Sequence, residues 1–182
     1  MLPLAMLTVA ACGPKNKGTD IIAHKPVTPK PTQTKKMGDY RQQRNIDWLG
    51  TTYTIDVAFE ADATLPQVQD GPQKYYDNRI DLRILRKDGS VFFNKRFTKA
   101  DFDEFLTKNY KENGALLGIV LDKAEGGSLV FAASVGSPDK SSDEYIPMIL
   151  KVDRFGNVSI SKDTQLDTMP DTETETYEDD GV

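Results

Sequence analysis

The stretch Tyr53-Thr54-Ile55-Asp56-Val57-Ala58-Phe59-Glu60 decides the fold class. Every second residue in it is large and apolar, and the residues between them are polar or small. A period of two is typical of a β-strand that buries one face and exposes the other to water. The same alternation returns in Ile80-Asp81-Leu82-Arg83-Ile84. We therefore expect a sheet with one apolar face.

Turn residues divide the following region into further strands. Lys87-Asp88-Gly89-Ser90 contains an Asp-Gly pair, which supplies the positive φ angles of a tight hairpin turn, and a strand over 91–97 follows it. Apolar runs bounded by turn residues predict four more strands, at 115–122, 129–135, 145–153 and 158–161. Pro147 lacks a backbone donor, so the strand that contains it is expected at a sheet edge or with a bulge.

One short helix is predicted, over about residues 98–110. Thr98 is a suitable N-cap, and Asp101 three residues later completes a pair that resembles a capping box. The apolar residues that follow share one helical face, and they are Phe102, Phe105, Leu106 and Tyr110. Asn113-Gly114 is a typical helix end.

The order of these elements is three strands, one helix and four strands, joined by short links. Short links suit antiparallel neighbours better than the long crossovers of a parallel sheet. The predicted fold class is mainly β. We expect an antiparallel sheet curled into a sandwich or a partly open barrel, with the helix between the third and fourth strands.

The first residues of the chain have the composition of a secretory signal. Residues 1–11 form an uncharged apolar run, which is too short for a bilayer core that needs about 20 residues of helix. Val9-Ala10-Ala11-Cys12 resembles the lipobox of bacterial lipoproteins, in which the cysteine becomes the lipidated first residue. We therefore predict a lipoprotein signal peptide over 1–11 and lipidation of Cys12. The alternative is that Cys12, the only cysteine, is an ordinary buried thiol.

Charge divides the rest of the chain into three parts. Residues 12–46 hold eight Lys or Arg, two Asp and four Pro, a composition typical of a disordered tether. Residues 168–182 hold six acidic residues and no basic one, which predicts a disordered acidic tail. Residues 47–167 are the predicted globular domain. It holds 20 acidic and 15 basic residues without a basic stripe, so nucleic acid is excluded as a partner.

Few residue types in the predicted domain support catalysis. The only histidine, His24, lies in the tether, which excludes a histidine base and a multi-histidine zinc site for the domain. Asp139, Asp143 and Glu144 share a loop but lack EF-hand spacing, so calcium is a minor alternative. A glycosidase needs two carboxylates, and no pair stands out among the scattered acids. We nominate no catalytic residue, no metal site and no cofactor.

Three aromatic residues are candidates for a ligand platform. Tyr75 and Tyr76 end the long loop that starts at Ala61, and Trp48 lies at the start of the predicted domain. Aromatic side chains exposed on loops form flat apolar surfaces that suit sugar rings or a peptide. The alternative, which we favour, is that they fold back and cover the end of the sheet.

Several segments together resemble uncharacterised lipoproteins of Bacteroidota-type bacteria. These segments are the lipobox at Cys12, the Pro/Lys-rich tether, the hairpin 82–97 with the following Thr98-Lys99-Ala100-Asp101-Phe102, and the closing hairpin 151–160. The chain is similar to the domain-of-unknown-function family 4738. The resemblance implies an envelope lipoprotein without known activity. Gly13-Pro14-Lys15-Asn16-Lys17 lacks the acidic run that surface-exported lipoproteins of these bacteria often carry, which favours the periplasm.

These observations leave two functional hypotheses. The first is a non-catalytic binding or structural module of the bacterial cell envelope, anchored in the lipid bilayer through acylated Cys12 and facing the periplasm. Its partner would be an envelope protein or a glycan. The alternative is a cell-surface lipoprotein that binds or processes carbohydrate, which the residues Trp48, Tyr75 and Tyr76 and the many carboxylates motivate.

Overall fold

A computed structural model of the protein describes residues 33–164, which form two four-stranded antiparallel sheets and a small hairpin. Cys12, the predicted signal peptide, most of the predicted tether and the predicted acidic tail lie outside the described residues. The strands in chain order are β1 (Tyr40–Trp48), β2 (Thr51–Ala61), β3 (Val68–Asp70), β4 (Gln73–Tyr75), β5 (Asn78–Leu85), β6 (Val91–Phe97), β7 (Ala115–Glu125), β8 (Ser128–Gly136), β9 (Tyr145–Asp153) and β10 (Val158–Lys162).

The first sheet has the strand order β1-β2-β5-β6, and each neighbouring pair is antiparallel. The alternation that predicted β2 is visible in its burial, because Ile55, Val57 and Phe59 are buried. Asp56, between them, lies opposite Gln43 of β1 and Arg83 of β5 on the outer face. The period of two therefore separates a core face from a polar face, as expected.

The second sheet has the strand order β10-β9-β8-β7, also antiparallel throughout. Two register shifts interrupt the pairing of β7 with β8, near Leu117 and Asp122. Gly89, in the predicted hairpin turn between β5 and β6, has a φ of 82°, which an Asp-Gly turn requires.

One hydrophobic core joins both sheets. It includes Phe97 of β6, Phe131 of β8 and Phe102, and all three side chains are fully buried. Burying a side chain of this size contributes about 1.5–3 kcal/mol each. Both sheets, together with the segment that holds Phe102, therefore form one cooperative unit.

The predicted helix is two short helices, a 3₁₀ helix η1 (Lys99–Phe105) and an α-helix α1 (Lys108–Asn113). The predicted cap is present, because the Thr98 N–H donates to the Asp101 carboxylate at 2.9 Å. The predicted position between the third and fourth strands is wrong, since both helices follow β6. Three strands that the sequence did not predict, β1, β3 and β4, precede them.

The predicted boundary at Asp47 is also wrong, because β1 begins at Tyr40 inside the predicted tether. Most residues of β1 are exposed, so the strand is held mainly by backbone pairing with β2 along its whole length. A hydrophobic pattern cannot report such a strand.

Pro147 does not mark an edge strand, because β9 pairs with both β8 and β10. Its carbonyl accepts the Asp163 N–H at 3.1 Å, just past the last residue of β10. In an antiparallel pair the nitrogen of a residue faces the same neighbour as its carbonyl. The missing N–H therefore falls at the end of the β9–β10 pairing, where it removes no bond from the pairing with β8.

Candidate functional site

The outer face of the first sheet is covered by ion pairs. Arg41 donates through Nε to the Asp56 carboxylate at 2.7 Å, and the Arg83 guanidinium lies 3.9 Å from the same carboxylate. The hydrogen bonds from Arg41 hold the pKa of Asp56 below its ordinary value. Both guanidinium groups are partly exposed, whereas the Asp56 carboxylate is buried, so its charge is compensated by arginine instead of by water. The exposed arginine side chains keep this face polar and solvated.

A second group of ion pairs extends the same face. Arg79 contacts Asp62 at 3.0 Å and also pairs with Glu60, while Arg96 donates to Asp81 at 2.8 Å. Hydrogen bonds from the Thr64 hydroxyl and N–H, and then from Arg79, lower the pKa of Asp62 to about 2. The carboxylates of Asp62 and Asp81 therefore pair with cations of their own sheet, and Asp62 also accepts the Thr64 hydroxyl of the loop after β2.

The outer face of the second sheet is different where β7, β8 and β9 lie side by side. Two rows of paired outward residues cross these strands, and they are Val120-Ala132-Ile149 and Gly118-Ser134-Pro147. All six residues are uncharged. A groove of about 370 Å³ runs over this face, and Asp163 lies at its rim. We call it the β7–β9 groove.

Two exposed tyrosines line the β7–β9 groove. Tyr40 is 43% exposed and Tyr145 is 49% exposed. Tyr40 stacks on the buried ring of Phe59, with ring centroids 4.9 Å apart and planes 11° apart. That stacking fixes the orientation of one tyrosine before any ligand arrives.

The floor between the tyrosines is formed by small side chains. Gly118, Ala132 and Ser134 leave the backbone of β7 and β8 accessible from outside. A flat floor with aromatic walls can take a sugar ring or an extended backbone, and it gives stacking energy without a net charge. Partial burial raises the pKa of the Tyr40 phenol, so the hydroxyl stays protonated at neutral pH.

The residues predicted as a platform lie elsewhere, and two of them are buried. Trp48 is 3% exposed and packs against Tyr53 and Phe92, with ring centroids 5.1 and 5.6 Å away. Tyr75 is 9% exposed and belongs to a separate small cluster. Tyr76 is half-buried.

An exposed platform of Trp48, Tyr75 and Tyr76 is therefore wrong, because the first two rings lie in two separate hydrophobic clusters. Burying an aromatic ring of this size gains more free energy than leaving it on the surface. The sequence signal for Tyr145 was present, since the alternation of the strand 145–153 turns Tyr145 and Pro147 outward. Tyr40 had no such signal, because it fell in the predicted tether.

The acidic loop between β8 and β9 is organised by its own hydrogen bonds. Asp139 accepts the N–H and the hydroxyl of Ser141, at 3.0 and 2.9 Å, and these bonds lower its pKa. Within residues 33–164, no group of three His, Cys, Asp or Glu side chains is placed to hold a metal ion.

The buried carboxylate of Asp77 lines a separate cavity of about 370 Å³, and its contacts are structural. Its Oδ1 accepts the N–H groups of Asn78 and Leu116 at 2.8 and 3.0 Å, and the Lys99 ammonium lies 3.5 Å from Oδ2. Burial raises its pKa, while the two N–H bonds and Lys99 oppose that rise. These contacts tie the start of β5 to the start of β7.

A protein-family model covers most of the chain. The family model described as "Domain of unknown function (DUF4738)" matches residues 20–160, which include nearly all of both sheets. No curated protein matches the chain. Among the described residues, neither helix has the length and apolar character that crossing a membrane demands.

Proposed function

We propose a non-catalytic binding function for this chain, which belongs to the DUF4738 family, a domain family whose description assigns no activity. The module is anchored in a membrane of the bacterial cell envelope through acylated Cys12 and faces the periplasm. The lipobox-like Val9-Ala10-Ala11-Cys12 supports the anchor. Two or three acyl chains bind a bilayer far more stably than the single chain that is marginal by itself.

The observation that carries the binding function is the difference between the two outer sheet faces. Ion pairs occupy the outer face of the first sheet, whereas the β7–β9 groove presents mainly uncharged side chains, with Asp163 at its rim, and two half-exposed tyrosines. Apolar surface that stays exposed on a folded domain gains free energy when a partner covers it. The groove is therefore the binding surface that we assign.

The ligand that this groove favours is a glycan chain. The Tyr40 ring is already fixed by stacking on Phe59, and Tyr145 stands across a floor of small residues. Rings of this kind stack on the apolar faces of sugars, while small floor residues allow a ring to approach closely. An envelope protein docked on the same face is the competing occupant.

A non-catalytic role is supported by what the perturbed carboxylates do. Asp62 is held by Thr64 and Arg79, and Asp77 is held by two main-chain N–H groups and Lys99. Each of these groups has a structural partner instead of an open coordination or proton-transfer position. For the architecture, we infer a sandwich of the two sheets, because both inner faces contribute to one core.

The second candidate function is a cell-surface lipoprotein that binds or processes carbohydrate. Tyr40 and Tyr145 favour it as much as they favour a periplasmic module, because the same groove would serve in either location. Protease treatment of intact cells separates the two. Loss of the protein places it at the surface, and protection places it in the periplasm.

The anchor is tested on the native protein. Mass spectrometry of the N-terminal peptide should show an acylated Cys12, and Cys12→Ser should move the protein from the membrane fraction to the soluble fraction. An unmodified Cys12 thiol in the native protein would contradict the anchor.

The groove is tested by crosslinking in cells. A photoreactive phenylalanine analogue replaces Tyr145 in the full chain, and a matched control carries it at Asn94, which is exposed on β6 of the opposite sheet. We expect periodate-sensitive, glycan-bearing adducts from position 145 and none from position 94. Protein adducts from position 145 would instead identify a docked envelope protein, and equal yields from both positions would contradict a binding role for the groove.

A further inference from the structure

A second cavity, of about 350 Å³, opens next to the β7–β9 groove. Three segments enclose it: the turn between β3 and β4, helix α1, and the loop between β8 and β9. Glu144 of that loop directly precedes Tyr145 of the groove. Unlike the groove, this cavity is lined mostly by polar side chains. We call it the amide cleft.

Hydrogen bonds within the protein fix the walls of the amide cleft. The Ser137 hydroxyl binds the Asp70 carboxylate, which ties the β8–β9 loop to the β3–β4 turn. The Lys99 ammonium donates to the Gly114 carbonyl at 2.7 Å and so holds the end of α1. A ligand that enters this cleft therefore finds its walls already in place, and less ordering free energy is needed on binding.

Helix α1 presents hydrogen-bonding groups to the cleft that have no partner within the described residues. Asn113 donates through Nδ2 to Oδ1 of Asn109 at 2.9 Å. The Nδ2 of Asn109 and the Oδ1 of Asn113 then have no hydrogen-bond partner among the described residues, and neither has the Tyr110 hydroxyl. The result is a donor, an acceptor and a hydroxyl along one wall. Neighbouring hydroxyl groups of a sugar are both donors and acceptors and match such a set.

The charge of the cleft selects against anions. Its lining includes the carboxylates of Asp70 and Glu144 and no Lys or Arg. The Glu144 carboxylate has no ion-pair or hydrogen-bond partner within residues 33–164. The nearby Lys99 ammonium is already bound to Asp77 and to the Gly114 carbonyl, so a phosphate, sulfate or uronate in this place would meet like charge without a cation in the lining. The volume is near the low end of about 300–1,000 Å³ for ligand sites, which limits the occupant to a short segment.

We propose that the amide cleft binds an uncharged sugar unit and discriminates against acidic ones. The inference rests on the proposed glycan-binding function, because it assigns a second subsite on the same chain of sugars. The β7–β9 groove stacks one part of the glycan on Tyr40 and Tyr145, and the cleft reads the hydroxyls of the next part through Asn109 and Asn113.

The test measures binding of defined oligosaccharides to the full chain by calorimetry. The neutral probes are two- to four-unit oligomers of glucose, galactose, mannose and N-acetylglucosamine, and the acidic probe is oligogalacturonate of equal length. We expect at least one neutral series to bind and oligogalacturonate to bind roughly tenfold more weakly, because its carboxylates meet the like charges of Asp70 and Glu144. Equal or tighter binding of oligogalacturonate, or no binding of any neutral probe, would overturn the proposal.

Substitutions in the cleft test whether the measured binding occurs there. The double variant Asn109→Ala/Asn113→Ala should weaken neutral binding roughly tenfold through the loss of about two hydrogen bonds. Glu112→Ala, on the same helix but outside the cleft lining, should leave it unchanged. Glu144→Gln should reduce the difference in affinity between the neutral and the acidic probes, because it removes one negative charge from the cleft. Circular dichroism of each variant confirms the fold.

The outcomes separate this inference from the proposed function. If Tyr145→Ala weakens neutral binding and the double asparagine variant does not alter it, the groove binds glycans and the cleft assignment is wrong. If no probe binds and crosslinking from position 145 yields no glycan, both are wrong.

Discussion

The Asp77 carboxylate, which is buried, accepts the main-chain N–H of Leu116 at 3.0 Å, and this bond connects the start of β5 in the first sheet to β7 in the second. Asn78 reinforces the connection, because its side-chain amide donates to the Leu116 carbonyl at 2.8 Å. The main-chain N–H and carbonyl of the buried Leu116 in β7 therefore bind the side chains of Asp77 and Asn78, two consecutive residues at the start of β5. An unsatisfied buried group would cost about 1–3 kcal/mol.

The first prediction concerns how the contribution of Asp77 to the stability of the fold changes with pH. Burial raises its folded-state pKa above the ordinary value of 3.8. The folded state then binds the proton more tightly than the unfolded state, so this group's contribution to stability falls as pH rises from about 3.8 through the folded pKa. Asp77→Asn carries no such proton, and it keeps an oxygen for Leu116.

Denaturant unfolding of both proteins between pH 4 and pH 7 measures this effect, with Trp48 fluorescence as the probe. We expect the wild type to lose stability relative to Asp77→Asn as the pH rises. A constant difference across the range would contradict the raised pKa.

The second prediction concerns Asp62, where the sign is opposite. Hydrogen bonds from Thr64 and Arg79 lower the pKa of Asp62 to about 2, against an ordinary value of 3.8. Its stabilising contribution is present above pH 3.8 and is lost as the pH falls toward 2. Thr64→Ala removes the hydroxyl donor at 2.6 Å, so the midpoint of Asp62 should move up toward 3.8.

Carboxyl carbon shifts followed by NMR report this midpoint directly. Asp88 is an internal control, because its pKa is lowered by its own bonds to Ser90. The Asp88 midpoint should stay in place in Thr64→Ala. An unchanged Asp62 midpoint would show that Thr64 is not the main cause.

The third prediction compares two glycines near the groove. A Cβ at Gly136 would lie 2.3 Å from the Glu144 carbonyl oxygen and 2.6 Å from the Tyr145 Cβ. These neighbours are backbone or close to it, so Gly136→Ala should destabilise the fold by about 1–3 kcal/mol. At Gly118 the nearest atom is the Tyr40 hydroxyl, 3.8 Å away, so Gly118→Ala should fold as well as the wild type.

Thermal unfolding of the two variants checks the comparison. Equal melting temperatures would mean that the close approach of the β8–β9 loop to Gly136 is absent in solution. Gly118→Ala also raises the floor of the groove by one methyl group, so it should weaken glycan binding without a loss of stability.

The sequence predicted the strands that face the core and missed those that do not. β2 and β5 are predictable from the sequence because their large apolar residues alternate and are buried, as are Ile55, Val57 and Phe59 of β2. β1 is exposed along most of its length, so its pairing with β2 leaves no hydrophobic period in the chain. β3 and β4 have three residues each, too few to show a period. Backbone pairing without burial is invisible to a pattern of side chains.

Of the two tyrosines that line the β7–β9 groove, Tyr145 was predictable from the sequence and Tyr40 was not. Tyr145 begins a strand whose inward residues, Met148 and Leu150, fix which face each neighbour takes. Tyr40 lies 105 positions earlier, in the unpredicted β1, and its place at the groove depends on tertiary packing against Phe59. Trp48 and Tyr75 are buried, which agrees with the favoured alternative of rings that fold back and not with the exposed platform, because the large ring area favours burial.

The last prediction separates binding aromatics from structural ones. Tyr145→Ala removes a half-exposed side chain, so its stability should change by no more than about 0.5 kcal/mol, while affinity for the bound oligosaccharide falls through the lost stacking of about 0.5–1.5 kcal/mol. Trp48→Ala removes a core side chain and should destabilise the fold by about 3–5 kcal/mol. At a temperature where both variants remain folded, Trp48→Ala should keep the wild-type affinity. Binding that survives Tyr145→Ala but is lost in folded Trp48→Ala would reverse the assignment and place the ligand at the Trp48 cluster.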